Sequence, residues 1–141
     1  MKVHISKDLN YNKNKINLAS QFILFCAENL PIEGNFDVYI VTERKQHGIT
    51  TTAVYEVGSN CCKIYGKNRA FADVLRSIAH EMTHMMQDEM GLITGPIRDA
   101  GGFHEDQANA RAGELIKLFA KSKEGRKAIY ESKTKLGLNI F

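Results

Sequence analysis

The chain has 141 residues, of which 43% are hydrophobic and 25% charged, and its net charge is +3. That size and balance fit one folded domain over residues 1–141 and exclude a disordered tail, a fibrous repeat or a tandem array. No apolar run is long enough to span a bilayer, cysteines 26, 61 and 62 give no disulfide framework, and Met1-Lys2-Val3-His4-Ile5 lacks a leader's apolar segment, so a cytoplasmic protein without a membrane contact is expected.

In chain order, Lys2 to Ile5 is predicted as a short strand. Asn12 to Leu30 follows as an amphipathic helix with Ile16, Ala19, Phe22, Ile23, Cys26, Ala27 and Leu30 inward. Asn35 to Glu43 alternates and is rich in Val, Tyr and Ile, as a strand is. Ile49 to Val57 and Cys61 to Tyr65 then form a hairpin over Gly58-Ser59-Asn60. Within that hairpin one of Cys61 and Cys62 should face the core and the other outward, while His4 and His47 read as surface residues.

Asn68, as N-cap, and Gly91, as stop, bracket a second helix. Its apolar stripe is Phe71, Val74, Leu75, Ile78, Met82, Met85 and Met86, and methionines 82, 85, 86 and 90 are expected in the core. A glycine-rich loop from Gly91 to Gly102, with Pro96, reverses the chain. A third helix begins at Glu105, with Glu105, Ala108, Asn109, Ala112, Ile116 and Phe119 on one face, and a last helical stretch covers Lys123 to Leu136. The order implies an α+β fold, a small mixed or antiparallel sheet with helices packed on one face.

The chemistry concentrates on the second helix, where residues 80 to 84 read His-Glu-Met-Thr-His. One turn apart, His80 and His84 project from the same face and can reach one metal ion. Glu81, rotated by about 100°, stands beside that ion, where it can take a proton from a zinc-bound water. Chance would give this pattern in roughly one unrelated chain in a few hundred, so its context must decide. Ser77, His80, Glu81, His84, Gln87 and Asp88 share one polar side of a strongly patterned helix, which favours a site.

A catalytic zinc site needs three protein ligands. The metzincin arrangement would require a glycine at position 87 and a histidine at position 90, which are Gln87 and Met90, and is excluded. Asp88, Glu89, Asp99, His104, Glu105, Asp106 and Glu114 remain. Asp88 and Glu89 read as the solvated end of the site helix. Glu105 heads a small, apolar stripe where an unpartnered carboxylate is costly, so it leads, with His104 as the second choice. Asn109, one turn after Glu105, is placed to accept the free N–H of a ligating histidine or simply to pack.

His80-Glu81-Met82-Thr83-His84 followed by Glu105-Asp106-Gln107-Ala108-Asn109 resembles the Glu-zincin pattern, and is most similar to the ImmA/IrrE-like and small phage-type metallopeptidases. The resemblance covers Ile49 to Leu118. It implies a minimal zincin-like fold, one zinc ion held by His80, His84 and Glu105, and peptide-bond hydrolysis. The chain departs from the pattern at Thr83, where a glycine is common, and at Arg111, where an aromatic is often seen. SprT-like proteases are less similar, since their downstream His-Gly is absent.

The function expected is zinc-dependent endopeptidase activity on a peptide or protein, with Glu81 as general base. Tyr130, His104 and Arg111 are the choices for stabilising the oxyanion, Tyr130 being the one far downstream. Gly48 to Val54 is the segment suited to an edge strand beside the metal. Charge is uneven: residues 1 to 116 carry 12 basic and 14 acidic groups, residues 117 to 141 carry 7 and 2. The alternative is therefore a zincin scaffold without turnover that binds a protein or nucleic acid through its basic C-terminal helix. No nucleic-acid reader motif accompanies those charges, which argues against a nucleic-acid partner. Oligomeric state and substrate identity leave no mark in the sequence.

Overall fold

A computed structural model describes residues 1–93, 102–122 and 137–141. Among them are eight regular elements: β1 (Lys2–Ile5), α1 (Lys13–Asn29), β2 (Asp37–Val41), β3 (Ala53–Tyr55), β4 (Cys61–Tyr65), α2 (Phe71–Glu89), α3 (Phe103–Lys121) and β5 (Gly137–Ile140). The five strands form one mixed sheet in the order β3-β4-β2-β1-β5. The α+β expectation is met, and β3 and β4 pair antiparallel as the hairpin pattern implied. The remaining pairings, β1 with β2, β1 with β5 and β2 with β4, are parallel.

Parallel strands usually lie between two helical layers and read as continuous apolar runs. Among the described residues only one face is covered, and these strands alternate. Val3, Ile5, Val38, Ile40, Cys62 and Ile64 are buried in one cluster with Phe22, Ile23 and Cys26 of α1, Ile78 and Met82 of α2, and Leu115 and Phe119 of α3. The opposite face carries Lys2, His4, Asp37, Tyr39, Cys61 and Lys63, none of them buried. On it His4 stacks on Tyr39 with ring centroids 4.1 Å apart and bonds Asp37 at 2.9 Å, so His4 is held in place rather than loose at the surface.

Asn12 caps α1 by accepting from the Lys15 amide at 2.9 Å, and α1 supplies the crossover between parallel β1 and β2. The start of α2 differs from the sequence expectation. Asn68 lies in the left-handed region at φ 58°, a conformation asparagine tolerates, and Ala70 is the N-cap. Arg69 ties this turn together, donating to the Tyr65 and Asp73 carbonyls and to Ser77 Oγ. The other end stops at Gly91 as expected: at φ 72° its amide reaches the Asp88 carbonyl and the Leu92 amide the Gln87 carbonyl, the paired bonds of a Schellman cap.

Met82 and Met85 are buried and Met86 packs against the core, but Met90, one residue past the helix, is 63% exposed. β5 was not foreseen. Gly137-Leu-Asn-Ile is too short and mixed to signal a strand, and it is fixed by pairing with β1. The predicted stretch Lys123 to Leu136 lies outside the described residues. No helix among the described residues is long and apolar enough to cross a membrane.

Candidate metal centre

The site forms where α2 packs against α3, with the end of the sheet at β3 and β4 alongside. His80 and His84 present their Nε2 atoms from adjacent turns of α2, their ring centroids 4.9 Å apart and steeply inclined. Glu105, in the first turn of α3, places Oε2 3.3 Å from His80 Nε2 and Oε1 2.6 Å from His84 Nε2. One donor atom from each of the three lies within 4.8 Å of the others, and among the described residues no other group of histidine, cysteine or carboxylate side chains converges this way. Two imidazoles and one carboxylate this close together could hold a metal ion.

The orientation of the His84 ring is controlled from behind. Gln87, fully buried, donates from Nε2 to the His104 carbonyl at 3.1 Å and to Gln107 Oε1 at 2.7 Å. Because the His104 carbonyl can only accept, Gln87 must turn Oε1 the other way, to within 2.8 Å of His84 Nδ1. His84 Nδ1 is therefore the donor of that bond. Its Nε2 lone pair is left for a cation, the arrangement that metal-bound histidines adopt. Asn109 stands close enough to the His80 ring to favour its protonated form. Burial lowers the His80 pKa, against the opposing pull of Glu105, and keeps the ring neutral as a ligand must be.

Glu81 is 8% exposed and borders the cleft without a hydrogen-bond partner among the described residues. Burial, reinforced by the negative charge of Glu105, pushes its carboxyl up to about 8. A carboxylate of that basicity is suited to accept a proton near neutral pH. The cleft encloses about 570 Å³ and is bordered by His80, Glu81, Glu105 and Asn109 on the helices and by Thr51, Thr52 and Ala53 at the sheet edge. The Tyr65 amide bonds the Thr52 carbonyl, so alternation turns the backbone groups of Ala53 away from β4.

No protein-family model, curated protein or solved structure matches this chain.

The residues named from sequence fall out as follows. His80, Glu81, His84 and Glu105 come together. His104 does not: its carbonyl serves Gln87, and its Nδ1 is buried without a partner behind the cleft. Arg111 reaches away to Glu114 and the Asn29 carbonyl, so it does not face the proposed reaction centre. Tyr130 and Asp99 lie outside the described residues. Glu89 is exposed and Asp88 half-buried at the end of the site helix, as expected, but both are engaged in hydrogen bonds. Asp88 accepts from Tyr55 Oη at 2.5 Å and from the Gly58 amide at 2.7 Å, and Glu89 from the amides of Glu33 and Gly34 at 2.8 and 3.0 Å.

Cys62 and Cys26 are buried and Cys61 is half-buried, as alternation implied. Thr83 is fully buried and closes its hydroxyl onto the Ala79 carbonyl at 2.8 Å, which explains how the helix accommodates it. Gln87 is the functional residue the sequence reading passed over. Its signal was its place three residues after His84, on the same helical face.

Proposed function

We propose that this protein is a zinc-dependent endopeptidase of the Glu-zincin type. The observation that carries the reading is the convergence of His80, His84 and Glu105 beside a buried, strongly basic Glu81 at the wall of an open cleft. His80, His84 and Glu105 would hold the ion, which when bound supplies Lewis acidity toward a carbonyl and an acidified water. Glu81 accepts the proton of the attacking water and returns it to the leaving amine. Gln87 keeps the His84 imidazole in its ligating orientation. The sheet edge at Thr51 to Ala53 gives an extended peptide a backbone to pair with.

The test is metal content by mass spectrometry on wild type and on the His80→Ala, Glu105→Gln and Glu81→Gln variants, with hydrolysis of a mixed peptide library measured on each. The reading predicts about one zinc per wild-type chain. His80→Ala and Glu105→Gln should lose it, while Glu81→Gln should keep the metal and lose hydrolysis. A folded wild type that takes up no divalent metal would overturn it.

A further inference from the structure

The cleft continues past the His80–Glu105 group along α3. Arg76, one turn before His80, borders the cleft and also a second groove of about 730 Å³ that runs beside Ala110, Gly113 and Lys117. Asn109 borders both spaces as well, so the two adjoin at Arg76 and Asn109. Gly113 keeps its stretch open, since nothing lies within 4 Å of the point where a Cβ would sit.

The two spaces carry charge of both signs: Arg76 and Lys117 border them, as do Glu81, Glu105 and Glu114. Glu81 and Glu105 belong to the chemistry just described, and Glu114 is paired with Arg111. Arg44 donates to the Thr51 carbonyl and lies over the Tyr65 ring, Arg69 bonds two carbonyls and Ser77, and Arg111 bonds Glu114 and Asn29. Arg76 differs from them: it is exposed and makes no hydrogen bond or ion pair with any described residue. Lys117, further along the groove, has none either. Such a guanidinium adds nothing to the fold, yet it presents a planar fork of donors matched to a carboxylate, at the border of the reaction cleft.

We propose that Arg76 recognises a carboxylate on the bound peptide, making acidic peptides the preferred substrate class. The carboxylate is either an Asp or Glu side chain or the peptide's C-terminus, seated on the α3 side of the cleft with Lys117 adding long-range attraction. This inference rests on the peptidase reading.

The experiment measures binding on the zinc-loaded Glu81→Gln protein, using labelled peptides in matched pairs, Glu against Gln at each position and free against amidated C-terminus. At low salt the acidic member of at least one pair should bind about three- to tenfold more tightly, a ratio that shrinks as salt rises. Arg76→Ala should bring that ratio close to one, Arg76→Glu should invert it, and Arg76→Lys should fall between. A ratio that survives amidation assigns the side chain, and one abolished by amidation assigns the C-terminus. Equal binding within every pair, or a ratio that Arg76→Ala leaves intact, overturns the inference, and no binding of any peptide overturns it together with the peptidase reading. Hydrolysis of the same peptides by the zinc-loaded wild type separates the two claims. Discrimination without hydrolysis would sink the peptidase reading alone, and hydrolysis without discrimination would sink the role of Arg76 alone.

Discussion

Gln87 Oε1 sits 2.8 Å from His84 Nδ1 because the other end of the same amide is held by the His104 carbonyl, across the interface with α3. Helix α3 thus orients a histidine of α2 through one buried side chain. Gln87→Leu, which keeps the bulk and removes both bonds, should weaken metal binding by about 10- to 100-fold. It should also cost about 1–3 kcal/mol of stability, since the His104 carbonyl and His84 Nδ1 lose their partners. Competition with a chromophoric chelator gives the first figure and urea unfolding the second. Unchanged metal affinity would reduce Gln87 to a packing residue.

Glu81 gives the metal-free protein a predictable pH dependence. In the unfolded chain its carboxyl titrates near 4.5, and in the fold near 8. Between those values the folded state holds a proton that the unfolded state has released, so stability falls as pH rises through that window and levels off above it. His80 acts in the opposite sense on the acid side, because its lowered pKa delays protonation in the fold. Urea melts of metal-free wild type and Glu81→Gln across pH 6 to 9 test this. The wild type should lose stability with rising pH more steeply than the variant, whose remaining pH dependence comes from His80 and the buried thiols of Cys26 and Cys62, and equal slopes would show that Glu81 is not the group responsible.

The parts of this site that were legible in the sequence are those fixed by local spacing or by a local conflict. His80, Glu81 and His84 needed only helical periodicity. Glu105 was visible because a carboxylate stood on a stripe of alanines. Gln87, Asp88 and Glu89 were not, since their partners are the His104 carbonyl, Tyr55, and the amides of Gly58, Glu33 and Gly34, which nothing in a helical pattern places nearby. The parallel pairing of β1, β2 and β4 was hidden for another reason. With the helices described all on one face, each strand alternates as an antiparallel strand would, and alternation reports burial rather than direction.

Thr83 separates the fold from the chemistry. Its side chain is fully buried and its hydroxyl bonds only its own helix, at Ala79. Thr83→Gly should lower stability by about 1–2 kcal/mol through lost burial and the flexibility of a mid-helix glycine. Zinc affinity should stay within about twofold, because no ligand or orienting bond is touched. Thermal unfolding and chelator competition on the same preparation check both halves. A large drop in affinity would mean that Thr83 positions a ligand through the helix backbone.

Asp88 joins the C-terminal end of the site helix to the hairpin that forms the cleft's far wall. One oxygen, Oδ2, accepts from both Tyr55 Oη and the Gly58 amide, so a single side chain fixes where β3 lies relative to α2. Asp88→Ala removes a charged acceptor from two donors and should cost about 1.5–3 kcal/mol. Tyr55→Phe, which leaves the Gly58 bond in place, should cost less. If Asp88 positions the edge strand rather than merely stabilising the domain, its loss should weaken peptide binding to zinc-loaded Glu81→Gln protein while the zinc content stays near one per chain. Unchanged peptide affinity in a destabilised, metal-loaded Asp88→Ala protein would confine this bond to stability and leave the cleft wall to be held by the β3–β4 pairing alone.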